Sequence, residues 1–152
     1  MTAEPIDSTA PKDLAMFLNV PLTLAPLLVY NLVLAGILGA PTGDPWVQPV
    51  FTVTMVSDAR FTLLLGDMLI LGALICLFVE IVKATRTSSP TIVDHALSLA
   101  VFIAHLVEFL IVAGAATSVF FILTAIALID VIGGFTITIR GARRDFGFDR
   151  GM

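Results

Sequence analysis

Four long apolar stretches occupy most of this chain, and they restrict it to the architectures that a lipid bilayer permits. Hydrophobic residues make up 58% of the 152 residues and charged residues only 13%, whereas charged residues make up about a quarter of a soluble domain. The mean hydropathy is +1.03. Because a membrane-spanning helix needs about 20 mostly apolar residues, the chain has room for four spans with short connections. The sequence therefore predicts an all-α integral membrane protein.

Polar and proline-containing segments between the apolar stretches predict the organisation of the chain. A four-helix transmembrane bundle is expected as one domain over residues 14–139. Its spans are predicted at about 14–39, 59–84, 91–114 and 119–139. Residues 1–13 contain two prolines and several charges and predict a flexible tail, and residues 140–152 predict a basic tail. Pro21 and Pro26 predict either a kink in the first span or a short interfacial helix before it.

The connection between the first two spans, residues 40–58, predicts a short flap outside the membrane. Phe51, Val53 and Met55 alternate with threonines, which is the period of a half-buried strand. Trp46 stands where an aromatic side chain at the membrane interface would lie. We interpret the segment as a small hairpin or an extended flap over one end of the bundle.

The distribution of basic residues predicts the orientation of the chain. Lys83 and Arg86 lie between the second and third spans, and only Arg60 lies at the opposite end. The basic residues Arg140, Arg143 and Arg144 follow the fourth span. Cytoplasmic connections carry an excess of Lys and Arg. The chain is therefore predicted to span a bacterial inner membrane with both termini in the cytoplasm and the flap on the outer side. The three arginines predict contact with anionic lipid headgroups. The alternative is that they only determine the orientation of the chain in the membrane. No secretory signal is expected.

Ionisable side chains inside the apolar stretches are the main candidates for a functional site, because such groups are costly in a bilayer. At 1.5 Å per residue, Asp67 and Glu108 are expected roughly 10 Å below the outer boundary, His105 about 15 Å and Asp130 about 18 Å. Asn31 is expected in the outer half. We predict one intramembrane polar network of these five residues, in which Asp67 pairs with Glu108 and His105 with Asp130.

Two interpretations of this network stay open. His105 and Glu108 lie one turn apart on one face of the third span, where they predict a path for protons or a small ion. Two carboxyls held close together, as expected for Asp67 and Glu108, would share a proton. The alternative is an interhelical hydrogen-bond seam that only fixes the register of the helices. Glu80 and Lys83 are interpreted as a satisfied ion pair at the inner boundary.

The sequence excludes several chemistries. Cys76 is the only cysteine, so a disulfide, a CxxC redox motif and a thiolate zinc site are excluded within one chain. His95 and His105 lie ten residues apart on one helix, roughly 15 Å in height, and cannot ligate one haem iron. The motifs GxSxG and HExxH and a nucleotide-binding glycine loop are absent from the sequence, so a soluble-type enzyme and a nucleic-acid partner are not expected. No cofactor is predicted, and a metal held by the network is left open.

Three functions therefore compete. The first is a small inner-membrane protein that translocates protons or a small ion, or senses protonation. It would work as an oligomer, because four such helices cannot enclose both a packed core and an open pore. The second is an accessory or scaffolding subunit of a larger membrane complex. The third is a protein that binds a lipid or a quinone within the membrane.

Overall fold

In the computed structural model of the protein, the described residues are 20–39, 43–85 and 91–148, without the side chains of 91–92 and 141–148. The predicted N-terminal tail at 1–13 lies outside the described residues. The same holds for the predicted start of the first span, for Arg86 and for residues 149–152.

Four helices contain most of the described residues. They are α1 Leu24–Leu34, α2 Leu65–Ala84, α3 Thr91–Ile111 and α4 Ser118–Phe148. All of α2, residues Val93–Ile111 of α3 and residues Ser118–Arg140 of α4 are long and apolar enough to cross a membrane. With 11 residues, α1 is only about 16 Å long. The structure thus shows a mostly helical protein with three helices of spanning length. The predicted four-span bundle would need a fourth such helix.

Prolines mark the start of α1. Pro21 precedes the helix, and Pro26 is its third residue. Backbone N–H groups in the first turn have no partner within a helix, so a proline there removes no hydrogen bond. The two prolines therefore stand at the beginning of the described helix and do not kink its interior.

A β-hairpin precedes α2, which agrees with the small hairpin that was one of the two interpretations of the connection before the second span. Strand β1, Pro49–Thr54, pairs antiparallel with β2, Arg60–Leu64. The second strand takes residues that were predicted to begin the second span at 59. Its alternation of apolar side chains with Thr62 lets it pair with β1, where the hydroxyls of Thr52 and Thr62 lie 2.9 Å apart. The alternation of residues predicted that one face of this strand would be buried. All residues of β1 are exposed, so that prediction is wrong.

Helix α4 forms the centre of the packing, because it contacts α1, α2 and α3. The hydroxyl of Tyr30, near the end of α1, donates a hydrogen bond to the carbonyl of Gly114 between α3 and α4, at 2.9 Å. The end of α1, the start of α2 and the connection from α3 to α4 therefore lie together on the side of the hairpin. We call this the hairpin end of the helices and the opposite one the far end.

Candidate functional site: two polar clusters between the helices

Polar side chains meet between the helices at two heights. We define the far-side cluster as Thr23, Glu80, Lys83 and Asp130, and the hairpin-side cluster as Tyr30, Asn31, Glu108 and Thr117. The segment that begins and forms α1 contributes Thr23 to the first cluster and Tyr30 and Asn31 to the second. The short helix therefore connects the two clusters.

The far-side cluster surrounds the N-terminus of α1. The backbone N–H of Leu22 donates to the carboxylate of Glu80 at 2.5 Å. The hydroxyl of Thr23 donates to a carboxylate oxygen of Asp130 at 3.2 Å. Thr23 is only 3% exposed, and Glu80 and Asp130 are each 6% exposed. Both carboxyls are thus removed from solvent and bound to consecutive residues of the chain.

The ammonium group of Lys83 pairs with Glu80, and its charge also acts on Asp130. The Nζ of Lys83 lies 3.0 Å from an oxygen of Glu80, an ion pair within α2. Glu80 and Lys83 also lie near enough to Asp130 for their charges to act on it, and Ser98 of α3 adds a hydroxyl beside it. Two carboxyls that share one cation cannot both ionise without a large desolvation cost. Among the described residues, the cluster therefore contains one more acid than base.

The hairpin-side cluster contains an unpaired carboxyl oxygen. The side-chain amide of Asn31 donates to one oxygen of Glu108 at 3.0 Å and to the carbonyl of Leu27 at 3.1 Å. The other oxygen of Glu108 is buried and has no hydrogen-bond partner within the described part of the chain. An unpaired buried carboxylate oxygen is expensive when the group is charged. The contact between Asn31 and Glu108 joins two residues of the predicted network.

His105 lies between the clusters and is 1% exposed. Its Nδ1 is 2.9 Å from the carbonyl oxygen of Val101, one turn earlier on α3. Because a carbonyl can only accept, Nδ1 must be the protonated ring nitrogen, which leaves Nε2 as the basic one. The hydrogen bond described for Asp130 goes to Thr23. The predicted pairing of His105 with Asp130 is thus replaced by a separate partner for each residue.

An apolar layer lies between His105 and the far-side cluster. Ala127 and Leu123 of α4 lie roughly one and two turns from Asp130 toward the hairpin end, and each is 1% exposed. Val101 of α3, one turn from His105, is 8% exposed. The described side chains therefore form two clusters rather than one continuous network.

Asp67 belongs to neither cluster. It is exposed, and its carboxylate accepts the backbone N–H of Leu64 at 3.0 Å, in the first turn of α2. The depth predicted for Asp67 assumed a span that begins at 59, whereas the helix begins at Leu65. A carboxylate in the first turn satisfies free N–H groups and the positive end of the helix dipole. The predicted pairing with Glu108 is replaced by this local contact.

The segment predicted as a basic tail continues helix α4 as far as Phe148. Arg140 is exposed. Arg143 and Arg144 lie within the helix, but their side chains lie outside the described residues. Contact of these three arginines with lipid headgroups stays a prediction.

Four buried polar residues of the far end were not among the predicted site residues, namely Thr23, Glu80, His95 and Ser98. The ion pair of Glu80 with Lys83 was expected from their spacing, but their place beside Asp130 was not. Thr23 carried no sequence signal, because it lies in a turn before a short helix. His95, expected at headgroup level, is 8% exposed, and its Nε2 lies 2.5 Å from the hydroxyl of Thr138.

Neither a metal site nor a known relative assigns the function. The described residues contain no group of three or more His, Cys, Asp or Glu side chains that could hold a metal ion. No family model, curated protein or solved structure matches this chain. The chemistry of the two clusters is therefore the basis for a functional assignment.

Proposed function

We propose that this protein binds and releases protons within the membrane and couples them to the packing of α1, as a proton translocator or a sensor of protonation. The observation that carries the proposal is the far-side cluster, in which two buried carboxyls, Glu80 and Asp130, lie near one ammonium group among the described residues, that of Lys83. Lys83 contacts Glu80, so Asp130 is the carboxyl that holds a proton when the cluster is neutral. An unpaired charge at that place would be costly.

The N-terminus of α1 provides the coupling. A helix N-terminus carries about half a positive charge, and the two residues just before α1, Leu22 and Thr23, bond to Glu80 and Asp130. Proton release from Asp130 strengthens its attraction to this end of α1, and proton binding weakens it. By linkage, any movement of α1 away from the cluster raises the affinity of Asp130 for a proton. Glu108 and His105 supply the second place for a proton, nearer the hairpin end.

The proposal includes a location and a topology. The chain lies in a bacterial inner membrane with both termini in the cytoplasm, and α1 together with the residues before it forms a fourth span. The hairpin then faces the outside, the far-side cluster lies toward the cytoplasm, and the arginines of α4 lie at the cytoplasmic headgroups. Translocation would require an oligomer, because the helices of one chain fill their own centre with Tyr30, Phe120 and Leu123.

We expect Asp130→Asn to remove one titrating group from the protein in lipid vesicles. The measurement is the infrared difference spectrum between neutral and alkaline pH, in which a carboxyl that is protonated at neutral pH loses its separate C=O band. Asp67→Asn is the matched control, because Asp67 is exposed and its removal should leave the buried carboxyl band unchanged. Glu108→Gln and His105→Ala should lower proton flux into the same vesicles. An identical carboxyl band in the wild type and in Asp130→Asn, with unchanged flux in the other two variants, would contradict the proposal.

A second function, an accessory subunit of a larger membrane complex, is favoured by the surface of the hairpin. Phe51, Val53 and Phe61 share one face of the two strands and are 50%, 44% and 45% exposed. Thr52 and Thr62 occupy the other face. An isolated two-stranded hairpin is only marginally stable in water, so a partner that covers the apolar face would stabilise it. The third function, binding of a lipid or quinone, stays a prediction.

The subunit function predicts that a stoichiometric partner co-purifies with the protein from native membranes. Phe51→Ser combined with Phe61→Ser should release that partner, whereas Thr52→Ala on the opposite face should retain it. The comparison uses mild detergent and equal expression of each variant. Purification of the wild type as a stable species without any other polypeptide would contradict the subunit function.

A further inference from the structure

A column of aromatic rings fills the space between the hairpin end and His105. The rings of Trp46 and Tyr30 stack with centroids 4.3 Å apart. Tyr30 meets Phe120 edge to face at 4.6 Å, and Phe120 lies 5.7 Å from the ring of His105. The exposures along the column are 4% for Trp46, 0% for Tyr30 and Phe120, and 1% for His105. Trp46 is therefore the outermost ring, and it covers the others from the hairpin side.

Trp46 is carried by a short turn that is separate from the helices. The turn is a 3-10 helix, Pro45–Val47, and the carboxylate of Asp44 accepts the N–H of Trp46 at 2.9 Å. One residue later, the carbonyl of Gln48 accepts the N–H of Leu65 at 2.9 Å. These few bonds hold the turn against the start of α2. Movement of this turn therefore breaks few hydrogen bonds to the helices.

The Trp46 turn packs against Gly66 of α2. A Cβ atom added at Gly66 would lie 3.0 Å from the carbonyl oxygen of Trp46 and 2.7 Å from a methyl of Val119. Both distances are too short for ordinary packing, so a side chain at this position would push the turn off the helix. The absence of a side chain at Gly66 lets the Trp46 turn close against α2.

The covered side chains lead directly to the hairpin-side cluster. The hydroxyl of Tyr30 is held by the carbonyl of Gly114 and the hydroxyl of Thr117. The next residue, Asn31, donates to Glu108. The charges of Asp44 and Glu108 both act on Tyr30. The carboxyl of Glu108 therefore lies close to the ring that Trp46 covers. Displacement of Trp46 would expose one face of Tyr30 and shorten the path from water to Glu108.

We propose that the Trp46 turn is a gate that controls the rate at which protons reach Glu108 and His105 from the hairpin side. This inference rests on the proposed proton function and deepens it by naming the residue that controls access. The gate changes the rate of proton exchange without changing the number of protons bound at equilibrium. The titratable groups around it are Asp44 on the turn itself, Tyr30 on α1, and His105 and Glu108 on α3.

The experiment compares Trp46→Ala with Trp46→Phe in vesicles. Hydrogen–deuterium exchange of the C=O band that Glu108→Gln removes is followed by infrared spectroscopy after transfer to D2O. Loss of the stacked ring should accelerate exchange by about tenfold, the scale of an aromatic stacking interaction. Trp46→Phe, which keeps a ring on Tyr30, should stay within about twofold of the wild type. The amount of carboxyl that finally exchanges should be the same in all three proteins.

A second variant keeps the test decisive if Trp46→Ala does not fold. Trp46 is the only tryptophan in the chain, so its fluorescence reports directly on the gate. Gly66→Ala should increase quenching of Trp46 by acrylamide and accelerate carboxyl exchange together. Gly72→Ala is the control on the same helix, because a Cβ there would meet nothing within 4 Å.

The outcomes separate the gate from the function on which it rests. Unchanged exchange in Trp46→Ala, or in Gly66→Ala despite greater quenching, would overturn the gate while leaving the proton function in place. If instead Glu108→Gln and Asp130→Asn leave the carboxyl band unchanged, the proton function itself is wrong, whatever the behaviour of Trp46.

Discussion

Phe120→Ala is expected to lower the free energy of unfolding by about 3 kcal/mol, because it empties the centre of the helix packing. Phe120 is 0% exposed and contacts Tyr30, His105 and Phe109 through its ring. In a membrane, the lost contacts determine the cost rather than transfer to water, since lipid is as apolar as the protein interior. We therefore place the effect at the lower end of the range for Phe→Ala. Equilibrium unfolding in mixed detergent micelles provides the measurement.

The neighbouring residue supplies the control for this prediction. Phe121 is the same residue type on the same helix but is 57% exposed. Phe121→Ala should change the free energy of unfolding by about 0.5 kcal/mol or less. Equal effects of the two substitutions would mean that Phe120 is not the centre of the packing. The aromatic column would then lose its structural basis.

Lys83→Met is expected to destabilise the protein by about 3 kcal/mol near neutral pH, because it leaves Glu80 buried without its cation. The side chain of Glu80 is 7% exposed and that of Lys83 is 27% exposed. The partial exposure of Lys83 places the expected loss at the lower end of the range for a broken buried pair. The measurement is the same unfolding equilibrium, near neutral pH.

Two further variants distinguish the charge from the shape of the side chain. Lys83→Arg keeps the positive charge and should lose little stability. The double variant Glu80→Gln with Lys83→Met removes both charges and should recover most of the loss, since a neutral amide can still accept the N–H of Leu22. If the double variant is as unstable as Lys83→Met alone, the ion pair is not what stabilises this end of the helices.

The main helices could be predicted because length and apolarity decide them. The predicted end of the second span at 84 and the predicted start of the third at 91 agree with α2 and α3. The start of α2 could not be predicted in the same way, since Phe61, Leu63 and Leu64 suit a spanning helix as well as a strand. Their pairing with β1, which only the folded chain shows, determines the choice.

The candidate site could be predicted only in part, because spacing places a residue along a helix but does not identify its neighbour. His105 and Glu108 were expected on an inward face, and His105 is buried. Estimated depth paired Asp67 with Glu108, but an error of six residues in the helix start placed Asp67 too deep. Asn31 is the residue that contacts Glu108, and that choice depends on how α1 lies against α3.

The direct junction between Leu64 and Leu65 makes the hairpin and α2 one mechanical unit. No loop separates β2 from the helix, and β2 alone is about 17 Å long at 3.3 Å per residue. A change of roughly 10° in the tilt of α2 would therefore swing the hairpin tip by about 3 Å. Val56, fully exposed at that tip, is where a small rotation of α2 becomes a displacement of the hairpin.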